Sequence, residues 1–196
     1  GVLECMIKTY VIDTNVLIQA PYALECFDDN RLVLPLVVLE ELDGLKKAEG
    51  EKGANARAAV RKLESYRQKG DLLQGVKLPG GGILRIEKNF VQVELPQDIP
   101  DDKPDNRILK VCKGLAETEK EGQVILVTKD IVLRLKAQIL ESGQRILSGN
   151  VFQKMMHNIQ GARKYIFRRK RSKNLKRKVF PLQMPTRAMR KETGVH

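Results

Sequence analysis

The segment Thr9-Tyr10-Val11-Ile12-Asp13-Thr14-Asn15 is a short β-branched and aromatic run that stops at a carboxylate. Its apolar residues are nearly continuous instead of alternating, the pattern of a parallel strand covered on both faces. Gln123-Val124-Ile125-Leu126-Val127-Thr128-Lys129-Asp130 repeats the arrangement, an apolar run followed shortly by an acid. Residues 31–34 predict a further strand, ended by Pro35.

Helical patterns fill the intervals. Over 36–47 the apolar positions Val38, Leu39, Leu42 and Leu45 recur at helical spacing. Gly50 and Gly53 interrupt them, and 54–68, rich in Ala, Arg and Lys, predicts another helix. Residues 105–116 are helical through Ile108, Leu109, Cys112 and Leu115, and 131–140 predict a last helix. Residues 70–104 differ. Gly80-Gly81-Gly82, the alternating stretches 83–87 and 91–95, and an acidic loop with prolines predict a hairpin or irregular excursion. Strands alternating with helices imply an α/β fold, a central parallel sheet with helices on both faces. Function in such sheets collects beyond the carboxyl ends of the strands. Asp13 and Asp130 each follow a strand and therefore share that edge.

The 196 residues, 42% of them hydrophobic, suffice for one core. No apolar run is long enough for a membrane-spanning helix, and the N-terminus has no secretory pattern. Cys5, Cys26 and Cys112 are odd in number and lack CxxC spacing, which suits reduced cysteines in a cytoplasmic protein. The net charge of +12 is unevenly distributed. Residues 141–196 hold 15 Lys and Arg against 2 Asp and Glu, whereas 1–140 hold 21 against 22. A near-neutral domain thus precedes a cationic tail.

A carboxylate placed after a buried strand is costly unless a hydrogen bond, a cation or a metal compensates it. Several in one cleft raise each other's pKa until a divalent cation neutralises them. Magnesium and manganese prefer such oxygen ligands and support phosphodiester hydrolysis without a His, Ser or Cys nucleophile. Both histidines, His157 and His196, lie outside the regular domain.

Four segments carry a resemblance: Asp13-Thr14-Asn15-Val16-Leu17, Val38-Leu39-Glu40-Glu41-Leu42, Pro104-Asp105-Asn106-Arg107-Ile108-Leu109 and Val127-Thr128-Lys129-Asp130. In this order they resemble the successive motifs of PIN domains, most closely the one preceding the ATPase of two-domain PhoH-like proteins. The resemblance covers about residues 6–140. It implies a PIN-like three-layer α/β/α fold and cleavage of single-stranded RNA. It also implies Mg²⁺ or Mn²⁺ held by Asp13, Glu41, Asp105 and Asp130, with Thr14, Asn15 and Thr128 orienting ligands or waters. Glu41 is preferred to Glu40 because the family's acid immediately precedes the leucine; Asp43 is a weaker supporting candidate. Self-association is implied by the resemblance alone. The downstream ATPase has no counterpart here, since no GxxxxGK[ST] occurs and no ATP site is expected.

Each acid has a plainer reading. Asp13 and Asp130 suit helix N-caps, Glu41 a solvated helix position, and Asp105 a residue favouring a helix dipole. Arg107 and Lys129 read first as surface charges. Four coincidences in order weigh against the plain readings jointly. A haloacid-dehalogenase-type phosphatase also places an Asp after its first strand, but Asn15 stands where its second carboxylate is needed. A catalytically impaired PIN fold, or a truncated PhoH-like protein acting only as an RNA-binding module, is the alternative.

The ends are read separately. Residues 1–5 form a leader ahead of Met6. Residues 141–196 lack convincing periodicity and resemble no family, so they are expected to be a disordered basic tail. Arg168-Arg169-Lys170-Arg171 and Lys176-Arg177-Lys178 also suit phosphate binding. Residues 154–160 can be encoded so that a frame displaced by one base reads Asp-Asp-Ala-Gln-Tyr-Thr, similar to the continuation of PhoH-like PIN domains. The tail is therefore expected to be frame-shifted, with the last strand of the sheet missing or disrupted and an exposed edge left behind.

Overall fold

The computed structural model describes residues 7–119, 122–141, 146–148, 151–154 and 156–157. All fall in the first of two units, Gly1–His157 and Asn158–His196. The leader, the two basic clusters and most of the frame-displaced stretch lie outside the described residues.

The sheet begins with β1 (Lys8–Ile12), whose chain continues into the short helix α1 (Thr14–Gln19). A single 3-10 turn leads to β2 (Arg31–Pro35), and Pro35 is followed at once by α2 (Leu36–Leu45) and then α3 (Gly50–Arg67). Next come β3 (Val76–Lys77), β4 (Ile83–Glu87), α4 (Pro104–Thr118), β5 (Gln123–Val127), α5 (Ile131–Glu141) and β6 (Ile146–Ser148). The strand order is β3-β4-β2-β1-β5-β6, parallel throughout except for the β3–β4 hairpin. The expected α/β architecture with a mostly parallel central sheet is therefore present.

Burial explains why the central strands carry continuous apolar runs. Every residue of β2 and β5 after the first is buried, as are Val11 and Ile12 at the end of β1. Leu17, Leu42, Ile108, Leu109 and Leu115 cover them from the helices, each fully buried or nearly so. α4 turns Ile108, Leu109, Val111, Cys112 and Leu115 inward, which its 3.6-residue spacing requires. Register then fixes the edge: Ile12 pairs with Val127, and the Asp13 amide donates to the Val127 carbonyl at 3.0 Å. Asp13 and Thr128 are thus the first residues past adjacent strands.

Two regions differ from expectation. The excursion over 70–104 contains the predicted hairpin, with Gly81 at a φ of +99° and the Leu78 amide bonded to the Gly82 carbonyl at 2.7 Å. Gly82 passes so close to the backbone that a Cβ there would meet the Asn30 and Asp28 carbonyl oxygens at 2.6 Å. The alternating run 91–95 forms no strand. Phe90 adopts a left-handed φ of +46°, the Val93 amide closes a turn onto the Phe90 carbonyl at 2.9 Å, and Val91 is left 82% exposed.

The second difference corrects the sheet's far edge. A strand does occupy the place expected to be missing or disrupted. β6 pairs parallel with β5 through Val124–Ile146, Ile125–Leu147 and Leu126–Ser148, and Ile146 is fully buried. Three residues with one well-placed apolar side chain are enough to cap the edge of β5. Residues 151–154 and 156–157 are helical, with Phe152 buried.

Candidate active site

Asp13 stands in extended backbone between β1 and α1, at the N-cap position, yet its side chain makes no capping hydrogen bond. Instead its Oδ2 accepts the Thr128 hydroxyl from the neighbouring strand end. The same Thr128 oxygen accepts from Asn15 Nδ2 at 3.3 Å and from the Asp130 amide at 3.0 Å. Asn15 Oδ1 in turn accepts the Lys129 amide at 3.1 Å. One threonine hydroxyl, its single proton given to Asp13, therefore ties the β1 edge to the β5 edge.

Glu41 comes from the middle of α2, where the helix has turned it toward α1, and its Oε2 accepts the Thr14 hydroxyl. Glu40, one residue earlier, is exposed. Asp105 lies in the first turn of α4, behind Pro104, where a carboxylate also complements the helix dipole. Asp13, Glu41 and Asp105 line one cavity of about 460 Å³, together with Thr14, Asn15 and Lys129. Three acids separated by up to 92 positions are thus brought to the carboxyl edge of the sheet, where β1 lies between β2 and β5.

Asp130 is placed differently. Its Oδ1 accepts the amides of Val132 at 2.7 Å and Leu133 at 3.3 Å, an N-cap for α5. It is not among the side chains lining the cavity. Asp43 is exposed and paired with Lys46 at 2.5 Å, away from the cavity wall. Arg107 does not line it either.

The electrostatics follow from the burial. Asp13 is 4% exposed, and burial pushes its carboxyl up to about 6 from the ordinary 3.8. The Thr128 hydroxyl and the Thr14 amide hold it lower than burial alone would, while the charges of Asp105 and Glu41 add to the rise. The Asp13 charge also reaches the core: it adds to the burial that raises the Cys112 thiol, so that cysteine stays protonated. Among the described residues, no three His, Cys, Asp or Glu side chains are grouped closely enough to hold a metal ion as they stand. Asp13 is turned to Thr128, Glu41 to Thr14 and Asp130 to the α5 amides.

Glu51 and Lys52 also line the cavity, and sequence reasoning missed both. It began the helix at 54 because two glycines precede that point. In fact α3 starts at Gly50, whose φ of +72° turns the chain into the helix. Gly53 lies inside the helix because its α-carbon passes the Ala48 carbonyl, where a Cβ would come within 1.7 Å of the oxygen. The signal available was the 3.6-residue continuation of Gly53 into Ala56 and Ala59, all buried.

The chain is 46% identical over 140 residues to protein PhoH2 of Bacillus subtilis, covering 69% of this chain and 32% of that protein. It is 41% identical over 137 residues to protein PhoH2 of Mycolicibacterium smegmatis, covering 68% and 31%. The chain thus spans about a third of the length of these relatives. Among solved structures it is similar to the PIN domain of T. brucei RRP44, with a TM-score of 0.48 at 13% identity, covering 82% of this chain and 86% of that one. The family model described as PIN domain matches residues 10–142. No helix among the described residues is long and apolar enough to cross a membrane. By the match over 10–142, the chain belongs to the PIN domain family, a nuclease-type fold.

Proposed function

We propose that this domain is a metal-dependent ribonuclease hydrolysing phosphodiesters of single-stranded RNA. Mg²⁺ or Mn²⁺ would be held by Asp13, Glu41 and Asp105, with Asp130 adding negative charge at the same edge. The observation that carries the reading is the convergence of three carboxylates, from the β1 end, α2 and α4, on one cavity. The donor set fits the ion: it consists of oxygen alone, which hard divalent cations prefer over softer ligands. A bound ion supplies Lewis acidity for attack of water on phosphorus.

The chain's own groups prepare that chemistry. Thr128 restrains Asp13 through its Oδ2, and Thr14 restrains Glu41 through its Oε2. Asn15 holds Thr128 and the Lys129 backbone in register. Asp13 must be ionised to hold the ion, and in the ion-free protein burial raises its pKa to about 6, so proton and cation compete for it and acid should weaken activity. The test is RNA cleavage with added Mn²⁺ or Mg²⁺, comparing the wild type with Asp13→Asn. Loss of cleavage in the variant is expected; equal cleavage by both would remove the assignment.

A second reading is a catalytically impaired PIN fold that only binds RNA. It is favoured by the absence, among the described residues, of any three grouped carboxylates and by the basic excess over 141–196. Deleting 158–196, which leaves β6 and the buried Phe152 in place, separates the two: a binding module loses RNA affinity, whereas a nuclease keeps its cleavage. Self-association is proposed from the family resemblance, and sedimentation of the full chain tests it.

A further inference from the structure

Among the described residues that line this cavity, an anionic strand meets four carboxylates, Asp13, Glu41, Glu51 and Asp105, and two cations, Lys52 and Lys129. The two lysines come from different elements, α3 and the β5–α5 connection. Both are exposed, and neither ammonium has an ion-pair partner among the described residues. Several other basic side chains are paired within the protein. Lys46 pairs with Asp43, Lys62 with Glu25, Lys110 with Asp101, and Arg57 donates to the Lys46 and Ala48 carbonyls.

The backbones of both lysines are held in place. The Lys129 amide is bonded to Asn15, and its ammonium lies 5.8 Å from the centre of the Phe152 ring. Lys52 is carried by the first turn of α3, which Gly53 allows to pack against Ala48. A lysine is a point charge suited to phosphate oxygens, and two without an ion-pair partner among the described residues, on the wall of an acidic cavity, offset its repulsion of a polyanion.

We propose that Lys52 and Lys129 are the phosphate-contacting residues of this cavity, each neutralising one backbone phosphate of single-stranded RNA and so positioning a phosphodiester over the acids. They are positioning residues, and the substrate class rests on the nuclease reading above. Their contribution is to binding, so it appears in KM and in salt dependence, with kcat little changed.

The full chain is tested as wild type and as Lys52→Ala, Lys129→Ala, Lys52→Arg and the control Arg61→Ala, an exposed residue on α3 outside the cavity. Two measurements are made: cleavage kinetics with Mn²⁺, and salt-dependent binding of a fluorescent oligouridylate to each variant in an Asp13→Asn background. Each lysine-to-alanine change is expected to raise KM several-fold and to lower the slope of log affinity against log salt by about 0.7. Lys52→Arg restores the slope. If the alanine variants match Arg61→Ala in both measurements, the proposal is overturned. If no variant cleaves but the slopes fall as stated, the nuclease reading fails and the phosphate contacts stand.

Discussion

The Thr128 hydroxyl donates to Asp13 Oδ2 across 115 positions of sequence, because Ile12 and Val127 are paired in adjacent parallel strands. Removing that hydroxyl leaves a buried carboxylate short of a donor. Thr128→Val is therefore expected to lower cleavage roughly 10- to 100-fold, the range for groups that orient metal ligands. It should also move the acidic limb of the pH–rate profile to higher pH, since this bond lowers the Asp13 pKa. An unmoved limb with reduced activity would assign Thr128 to packing alone.

Asp13 also gives the ion-free protein a pH dependence of definite sign. Its folded pKa, about 6, exceeds the ordinary 3.8, so the folded state binds the proton more tightly than the unfolded chain. The associated stability is full below pH 4 and is lost as pH rises through 6, roughly 3 kcal/mol in all. The Asp13 contribution to the Tm of chelator-treated protein should accordingly be larger at pH 5 than at pH 7.5. Asp13→Asn should flatten this contribution, and Mn²⁺ should raise the wild-type Tm more at pH 7.5 than at pH 5. Equal increments at both pH values would argue against Asp13 as a ligand.

The adjacent pair Glu40 and Glu41 offers an internal control. Glu41 lines the cavity and accepts from Thr14, while Glu40 faces solvent. Glu41→Gln keeps the shape and removes the charge, and kcat should fall about 100-fold or more, as when one preorganised electrostatic group is lost. Glu40→Gln should stay within about twofold of wild type, as surface changes do. Single-turnover cleavage of a short RNA measures both. The reverse ranking would place the helix a quarter-turn from its described orientation.

Legibility in the sequence tracked how strongly one interaction dominated each segment. β5 was readable to the residue, 123–127, because burial on both faces demands continuous apolar character. The choice of Glu41 over Glu40 came through the family motif, and Asp13 through the end of an apolar run. Asp130 was read as a ligand, but whether a strand-end acid faces a cavity or caps the next helix depends on a rotamer that spacing does not specify. Residues 91–95 alternate as a strand would, yet Phe90 turns the chain before a partner can be reached. β6 was unreadable because three residues carry no period; its order derives from the edge of β5 it covers.

The start of α3 was hidden for the opposite reason, since glycine inside a helix ordinarily weakens it. Gly53 is there because the α2–α3 corner brings the Ala48 carbonyl against its α-carbon, with no room for a methyl group. The obstacle is backbone, so rotamer changes cannot relieve it, and the helix start itself must move. Gly53→Ala is expected to cost at least about 1–3 kcal/mol, as overpacking does, and to lower the Tm by several degrees. Arg57, which donates to the Lys46 and Ala48 carbonyls at 2.8 and 3.3 Å, fastens the same corner. Arg57→Ala should therefore be the milder lesion, exposed as those bonds are. Because Glu51 and Lys52 ride on the displaced turn, Gly53→Ala should also weaken RNA affinity at temperatures where the protein remains folded. A Tm within about 1 °C of wild type would mean that the corner has slack the close approach of Ala48 does not suggest.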